Sequence, residues 1–263
     1  MAGVSATADL RLAHAISRQP DSRTSLTARA YARAVWLSDD AEIIAPTSTN
    51  SDFGSQVLEF GLNHQRRLGD GTLSAEALTG LSWFGGDIGA NYNRASLRYG
   101  NTLSESVSGT ISGEVQQTNL EGLFARSNIR STLTTQIRYR TDSGNRLSGM
   151  VSFGAQSSEN LNERYETITA QVSYAWADPI GPIQLSLTAG VSRSHYRDYT
   201  ILLPVPDGRT DMRVFGSATA VFQDINYAGF VPVVTLGVQD TQSNVSRFER
   251  NEYSVNIGFR SSF

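Results

Sequence analysis

Residues 251–263 read NEYSVNIGFRSSF, and their side chains sort into two sets. Tyr253, Val255, Ile257 and Phe259 occupy alternate positions and Phe263 follows in the same phase, while Glu252, Ser254, Asn256, Gly258 and Arg260 fill the positions between. Successive side chains of an extended chain point to opposite faces, so this segment is a strand with one apolar and one polar face. An edge strand of a soluble sandwich would share the alternation. Aromatic residues toward both ends of the apolar face point instead to a strand whose ends meet two lipid interfaces.

The alternation returns about every twenty residues along the chain. Leu26, Ala28, Ala30, Ala32, Ala34 and Trp36 alternate with Ser25, Thr27, Arg29, Tyr31 and Arg33; Leu58, Phe60 and Leu62 alternate with Glu59, Gly61 and Asn63. Val107, Gly109, Ile111 and Val115 face away from Ser106, Ser108, Thr110 and Ser112, a hydroxylic set that belongs in water. The pattern recurs around Leu133 to Tyr139, Leu147 to Phe153, Ile168 to Trp176, Ile183 to Val191 and Val214 to Phe222. The expected fold is all-β, a closed antiparallel transmembrane β-barrel of 12 to 14 strands, thirteen of them visible. The final strand, with Tyr253, Val255, Ile257, Phe259 and the terminal Phe263, resembles the C-terminal signal that the assembly machinery reads in bacterial outer-membrane β-barrels. That resemblance implies an outer-membrane location, with membrane lipid and the barrel assembly machinery as partners.

Composition is consistent with this. The 263 residues include no Cys, 7 Pro and 23 Gly, with a net charge of −3, and the mean hydropathy is −0.27. Barrel strands expose half their residues to a polar lumen, so a modest mean and the lack of a run of ~18 apolar residues exclude only a helical membrane protein. Absence of cysteine removes disulfide frameworks and thiolate metal sites. Slight acidity with dispersed arginines argues against a nucleic-acid partner.

The connections alternate between short and long, which assigns sides, because periplasmic turns of outer-membrane barrels are short and external loops longer. Gly69-Asp70-Gly71, Gly100-Asn101-Thr102, Thr141 to Asn145, Asp178 to Gly181 and Asp224 to Ala228 read as periplasmic. Ser38 to Asp52, Phe84 to Asp87, Gln117 to Asn128, Gln156 to Glu163, Ser194 to Thr210 and Asp240 to Arg250 read as external. Ahead of a turn at Gln19 to Ser22, the residues Ala8, Leu10, Leu12, Ala13 and Ile16 read as one further strand. Residues 1–21 are therefore a partial first strand or a periplasmic extension, and 22–263 the barrel. An odd count favours a chain that has lost its first strand, since bacterial single-chain barrels have even numbers, and the start carries no signal peptide.

The stretch from Gly229 to Phe263 is similar to the C-terminal end of the surface lipoprotein assembly modifier family. Gly229, Phe230 and Pro232 match its Gly-aromatic-x-Pro strand, Ser243 and Asn244 its last external loop, and Phe263 its terminal residue. The resemblance implies a fourteen-stranded barrel that delivers lipoproteins or secreted partners across the outer membrane. Members carry a tetratricopeptide domain before the barrel, and no helical repeat of that period occurs here.

Chemistry beyond the barrel is sparse. His14, His64 and His195 lie on separate segments without ligand spacing, and no Gly-x-Ser-x-Gly occurs, so neither a metal, a cofactor nor a catalytic residue is assigned. His195 near Asp198 opens a loop rich in Tyr and Arg that reads as a solvated surface. Alternation turns Arg29, Arg33, Glu59, Glu76, Arg94, Arg98, Glu114, Arg138 and Arg140 toward the lumen. Such an interior either pairs with itself or lines a wet pore with a basic stripe. The functions left open are a translocation or assembly pore for surface lipoproteins or secreted partners, a passive diffusion porin, and, least favoured, an enzyme built into a barrel.

Overall fold

The computed structural model describes residues 3–37, 54–121, 126–201, 204–226 and 229–261. Thirteen strands pair in chain order in one antiparallel sheet. They are β1 (Gly3–Gln19), β2 (Ser22–Leu37), β3 (Ser55–Leu68), β4 (Gly71–Phe84), β5 (Asp87–Thr102), β6 (Val107–Leu120), β7 (Arg126–Arg140), β8 (Arg146–Ser158), β9 (Tyr165–Ala175), β10 (Ile183–Tyr196), β11 (Arg209–Phe222), β12 (Phe230–Ser243) and β13 (Arg250–Ser261). The helical content among the described residues is two single turns of 3-10 helix, Leu161–Glu163 and Ser246–Phe248. The all-β expectation and the strand number within 12 to 14 both hold, whereas the expected closure is not seen: β1 and β13 end the strand order and do not pair among the described residues. The chain divides into two compact units, Met1–Arg98 with Glu114–Arg130 and Tyr99–Gly113 with Ser131–Phe263.

Register converts the sequence alternation into rows running across the strands. In the first unit, Leu10, Ala30, Leu58 and Leu81 are consecutive partners on β1 to β4, and the neighbouring row is Arg11, Arg29, Glu59 and Gly80. In the second unit, Leu147, Tyr174, Leu187, Ala218, Leu236 and Val255 form one row across β8 to β13. Beside it run Ser148, Ser173, Thr188, Ser217, Gly237 and Ser254, on the opposite face. Hydroxyls link along that polar face, Ser173 to Thr188 at 3.0 Å, Thr169 to Ser192 at 3.0 Å and Thr219 to Thr235 at 3.0 Å.

The apolar rows are not covered. Among the described residues no large side chain is fully buried, and Phe60, Ile137 and Val172 are each 54% exposed. A packed sandwich would bury these residues, each worth about 1.5–3 kcal/mol when withdrawn from water. An exposed apolar face of this extent marks a surface that meets something other than water.

Connections follow the expected order with shifts at their ends, of which two are instructive. Gly85 and Gly86 carry positive φ in the two-residue turn between β4 and β5, the conformation that a tight hairpin requires. At the turn between β7 and β8, Thr141 N donates to Asn145 O at 2.9 Å and Gly144 has φ 85°. The turn expected at Gly100-Asn101-Thr102 lies instead at residues 103–106, because β5 continues through Thr102 and Leu103 N donates to Val107 O at 2.9 Å. The connection expected over Gln117 to Asn128 is shorter, since β6 runs to Leu120 and β7 starts at Arg126. Polar residues of these segments are compatible with a strand that stays wet on one face, so polarity alone misplaced the first connection and overstated the second. Phe263 and the loop from Ser38 to Asp52 fall outside the described residues.

Pro232 lies inside β12 without breaking it. It pairs with Phe259 of β13, while the ladder to β11 begins one residue later, at Val221 and Val233. The missing N–H therefore falls where β11 makes no demand on it. β1 carries an irregularity between Ala15 and Ser17, a bulge that changes the phase of its alternation before the turn.

Two glycines are required by close approach. Gly190 lies under the ring of its partner Phe215, and Gly80 under the ring of Tyr92, so that a Cβ at either position would fall inside the ring. Replacing Gly190 by Val must displace Phe215 and should lower stability by about 1–3 kcal/mol, the usual cost of overpacking. Urea titration of the chain refolded into lipid vesicles checks this, and an unchanged midpoint would contradict it.

Candidate functional site

The polar face of the first unit carries an ionic chain. Asp9 on β1 accepts from Arg11 at 2.8 Å and from Arg29 Nε and Nη2 at 2.9 and 3.1 Å, the latter a two-pronged contact. Arg29 on β2 also reaches Glu59 on β3 at 3.4 Å. Arg94 on β5 lies 3.9 Å from Glu59 and 3.8 Å from Glu114 on β6. Glu59 is 7% exposed, and such a carboxylate must be matched by donors if it is to stay charged. Its second donor comes from Tyr92, whose hydroxyl donates to Glu59 Oε1 at 2.7 Å. Tyr92 can reach it because Gly80, the register partner of Glu59 on β4, leaves the intervening strand without a side chain.

Of the residues read as lumen-lining, Arg29, Glu59, Arg94 and Glu114 are thus brought together, and Asp9, Arg11 and Tyr92 join them. Arg33, Glu76 and Arg98 make no ion pair among the described residues. Arg138 and Arg140 lie in the second unit, Arg138 donating to the neutral Gln136 at 2.9 Å. Three arginines and three carboxylates make up the ionic chain, so its formal charge is zero.

A second constellation gathers where β10, β11, β12 and β13 meet their longer connections. Arg209, 7% exposed, places its guanidinium 3.6 Å from the ring centre of Tyr196 and 3.7 Å from that of Phe248, with Tyr199 at 4.9 Å. It pairs with Asp211 at 3.0 Å. Tyr199 is 2% exposed, stands edge-on to Phe248 with centres 5.7 Å apart, and accepts a hydrogen bond from Arg247. Positive φ at Asp207 (59°) and Gly208 (71°) turns the chain back into β11, and a Cβ at residue 208 would collide with the carbonyls of Tyr196 and Arg197.

Ser243 and Asn244 serve this cluster. Ser243 donates to Asp211 Oδ1 at 2.8 Å; Asn244 accepts from Thr210 N at 2.8 Å and donates to Gly208 O at 2.9 Å. Asn162 holds the same loop from the other side, accepting from Thr200 N at 2.7 Å and donating to Thr200 O at 3.0 Å. The segment read as a solvated loop therefore has a buried aromatic and cationic centre. His195 bonds Thr210 at 3.1 Å and Asp198 lies 3.9 Å from Arg164, so the two point to different partners. At the start of β12, Gly229 has φ 80° and its N–H donates to Asn226 Oδ1 at 2.9 Å. On β13, Tyr253, Val255, Ile257 and Phe259 are exposed on one face. No group of three or more metal-ligating side chains is assembled among the described residues.

Arg209→Lys keeps the charge but loses the flat guanidinium that stacks between two rings. The expected outcome is a loop at residues 197–208 that is cut by added protease several times faster than in the unsubstituted chain, with the sheet intact by circular dichroism. Equal cleavage rates would show that the stacking does not hold the loop.

Comparisons with known proteins place this geometry. The sequence pattern of the family described as surface lipoprotein assembly modifier matches residues 47–263. None of the curated proteins matches. Among solved structures, the β-domain of the Bordetella autotransporter BrkA is similar over 100% of both chains, with 12% identity and a TM-score of 0.37, a level that carries no functional inference. With the family match extending over β3 to β13 and beyond half of its length, the chain belongs to the surface lipoprotein assembly modifier family.

Proposed function

We propose that the chain closes into an outer-membrane β-barrel that passes or assembles surface lipoproteins or other secreted clients. The carrying observation is the pair of adjacent rows in the second unit, one apolar and exposed, one hydroxylic. A sheet so divided has a face for lipid and a face for water, and in lipid only a closed sheet satisfies every strand edge. The family name supplies the client class. On this reading the short-turn ends are periplasmic, the Arg209 cluster is external, and Tyr253, Val255, Ile257, Phe259 and Phe263 form the strand presented to the assembly machinery. The chain is a conduit and carries out no chemistry of its own.

The ionic chain favours a conduit that stays shut between clients over an open diffusion porin. Opposite charges tied across β1, β2, β3, β5 and β6 leave this set without a net field of its own to draw solutes. In a planar bilayer the protein should conduct weakly and intermittently, and Glu59→Gln, which leaves these six linked residues with one positive charge in excess, should shift any current toward anions. A large, steady current from the unsubstituted protein would establish the porin reading in its place.

Replacing Tyr253 and Phe259 by Ser should abolish outer-membrane assembly without affecting synthesis. In cells that produce a surface lipoprotein alongside this protein, the same substitutions should leave the lipoprotein inaccessible to protease added outside. Lipoprotein exposure that is indifferent to the presence of the barrel would refute the proposed client.

A further inference from the structure

Three arginines of the second unit contrast with those of the ionic chain in the first. Arg138 and Arg140 at the end of β7 and Arg146 at the start of β8 line one cavity of about 580 Å³, entirely within this unit. None of the three has a carboxylate within ion-pair distance among the described residues. Glu105 is the one acid on the cavity wall, so the lining carries three positive charges against one negative. Hydroxyls of Ser148 and Ser173, register partners on β8 and β9, line the same space.

We propose that this cavity binds a small phosphate-bearing molecule. A guanidinium presents paired donors that match the oxygens of a phosphate, and a phosphate monoester near neutral pH carries a charge close to −2, which the excess of two positive charges offsets. The volume lies within the range of small-molecule sites, about 300–1,000 Å³, and exceeds what a bare phosphate fills. Ser148 and Ser173 belong to the polar row and supply the cavity's polar side together with the arginines, while Leu147 and Tyr174 of the apolar row border it as well; the proposal commits to a ligand that arrives from water, and a bilayer lipid is an outcome of the test. The inference rests on the assignment of the hydroxylic face to water and is independent of which client the barrel serves.

The test is calorimetric titration of the full chain, refolded in detergent micelles, with glycerol 3-phosphate. Saturable binding is expected, weakened about tenfold or more by Arg138→Gln and by Arg146→Gln, since hydrogen bonds to charged groups are the stronger ones. Arg66→Gln, on β3, should bind as the unsubstituted chain does. Circular dichroism confirms that each variant keeps its β-sheet. Phosphatidic acid in the micelle should not compete; if it binds and glycerol 3-phosphate does not, the source is lipid and the proposal fails. Absence of saturable binding to the unsubstituted chain, or equal affinity for the arginine variants, would also overturn it. None of these outcomes bears on conductance or on lipoprotein exposure, so this site and the translocation reading can fail separately.

Discussion

Backbone pairing between neighbouring strands is the constraint on which every other feature depends. Because neighbouring strands run antiparallel and pairs such as β3–β4, β10–β11 and β12–β13 hold their register over ten or more residues, a side chain's face there is fixed by its parity. A slip of one residue would carry Leu147, Leu187 and Leu236 to the hydroxylic side and Ser148, Thr188 and Ser217 to the apolar one. Burial does little to enforce the register here, since few apolar side chains of the described strands are buried. Complementarity along whole rows enforces it, through hydroxyl pairs on one side and apolar contact with the surroundings on the other.

Polar residues on the wet face then take one of two courses. In the first unit they neutralise each other: Arg29 spans Asp9 and Glu59, and Arg94 lies between Glu59 and Glu114. The more exposed of these pairs contribute little individually, but Glu59 is buried and depends on its donors, and sharing Arg29 and Glu59 among several partners means that fixing one side chain serves several contacts. In the second unit Arg138, Arg140 and Arg146 have hydroxyl and amide neighbours instead. One kind of residue on one kind of strand position thus gives a closed set of charges in one place and an open field in another.

Strand positions and facing were legible from the sequence because period two is a direct reading of extended geometry. Turn positions were less so. Gly100 and Asn101 look like a turn, yet the hairpin closes at residues 103–106, since a wet strand tolerates small polar residues as well as a turn does. The partners of Glu59 were partly legible: parity gave Arg29 and Arg94, but Tyr92 reaches across a whole strand and only the isolated glycine at position 80 hinted at such an approach. The Arg209 cluster was the largest omission. Tyr196, Tyr199, Arg209 and Phe248 come from three separate segments, and their convergence follows from loop paths fixed by Asn162 and Asn244, which no periodicity encodes.

The ring of Tyr92 above Gly80 also bears on how the sheet comes together. A two-residue slip between β4 and β5 preserves parity and would keep every apolar side chain on its proper face, so hydrophobic matching is blind to it. It is not sterically silent, because the positions two residues away from Gly80 are Leu78 and Ser82, and either would place a side chain where the ring must lie. One missing Cβ therefore acts as a keyway for alignment, rejecting a misthreaded hairpin that the greasy and wet faces would both accept.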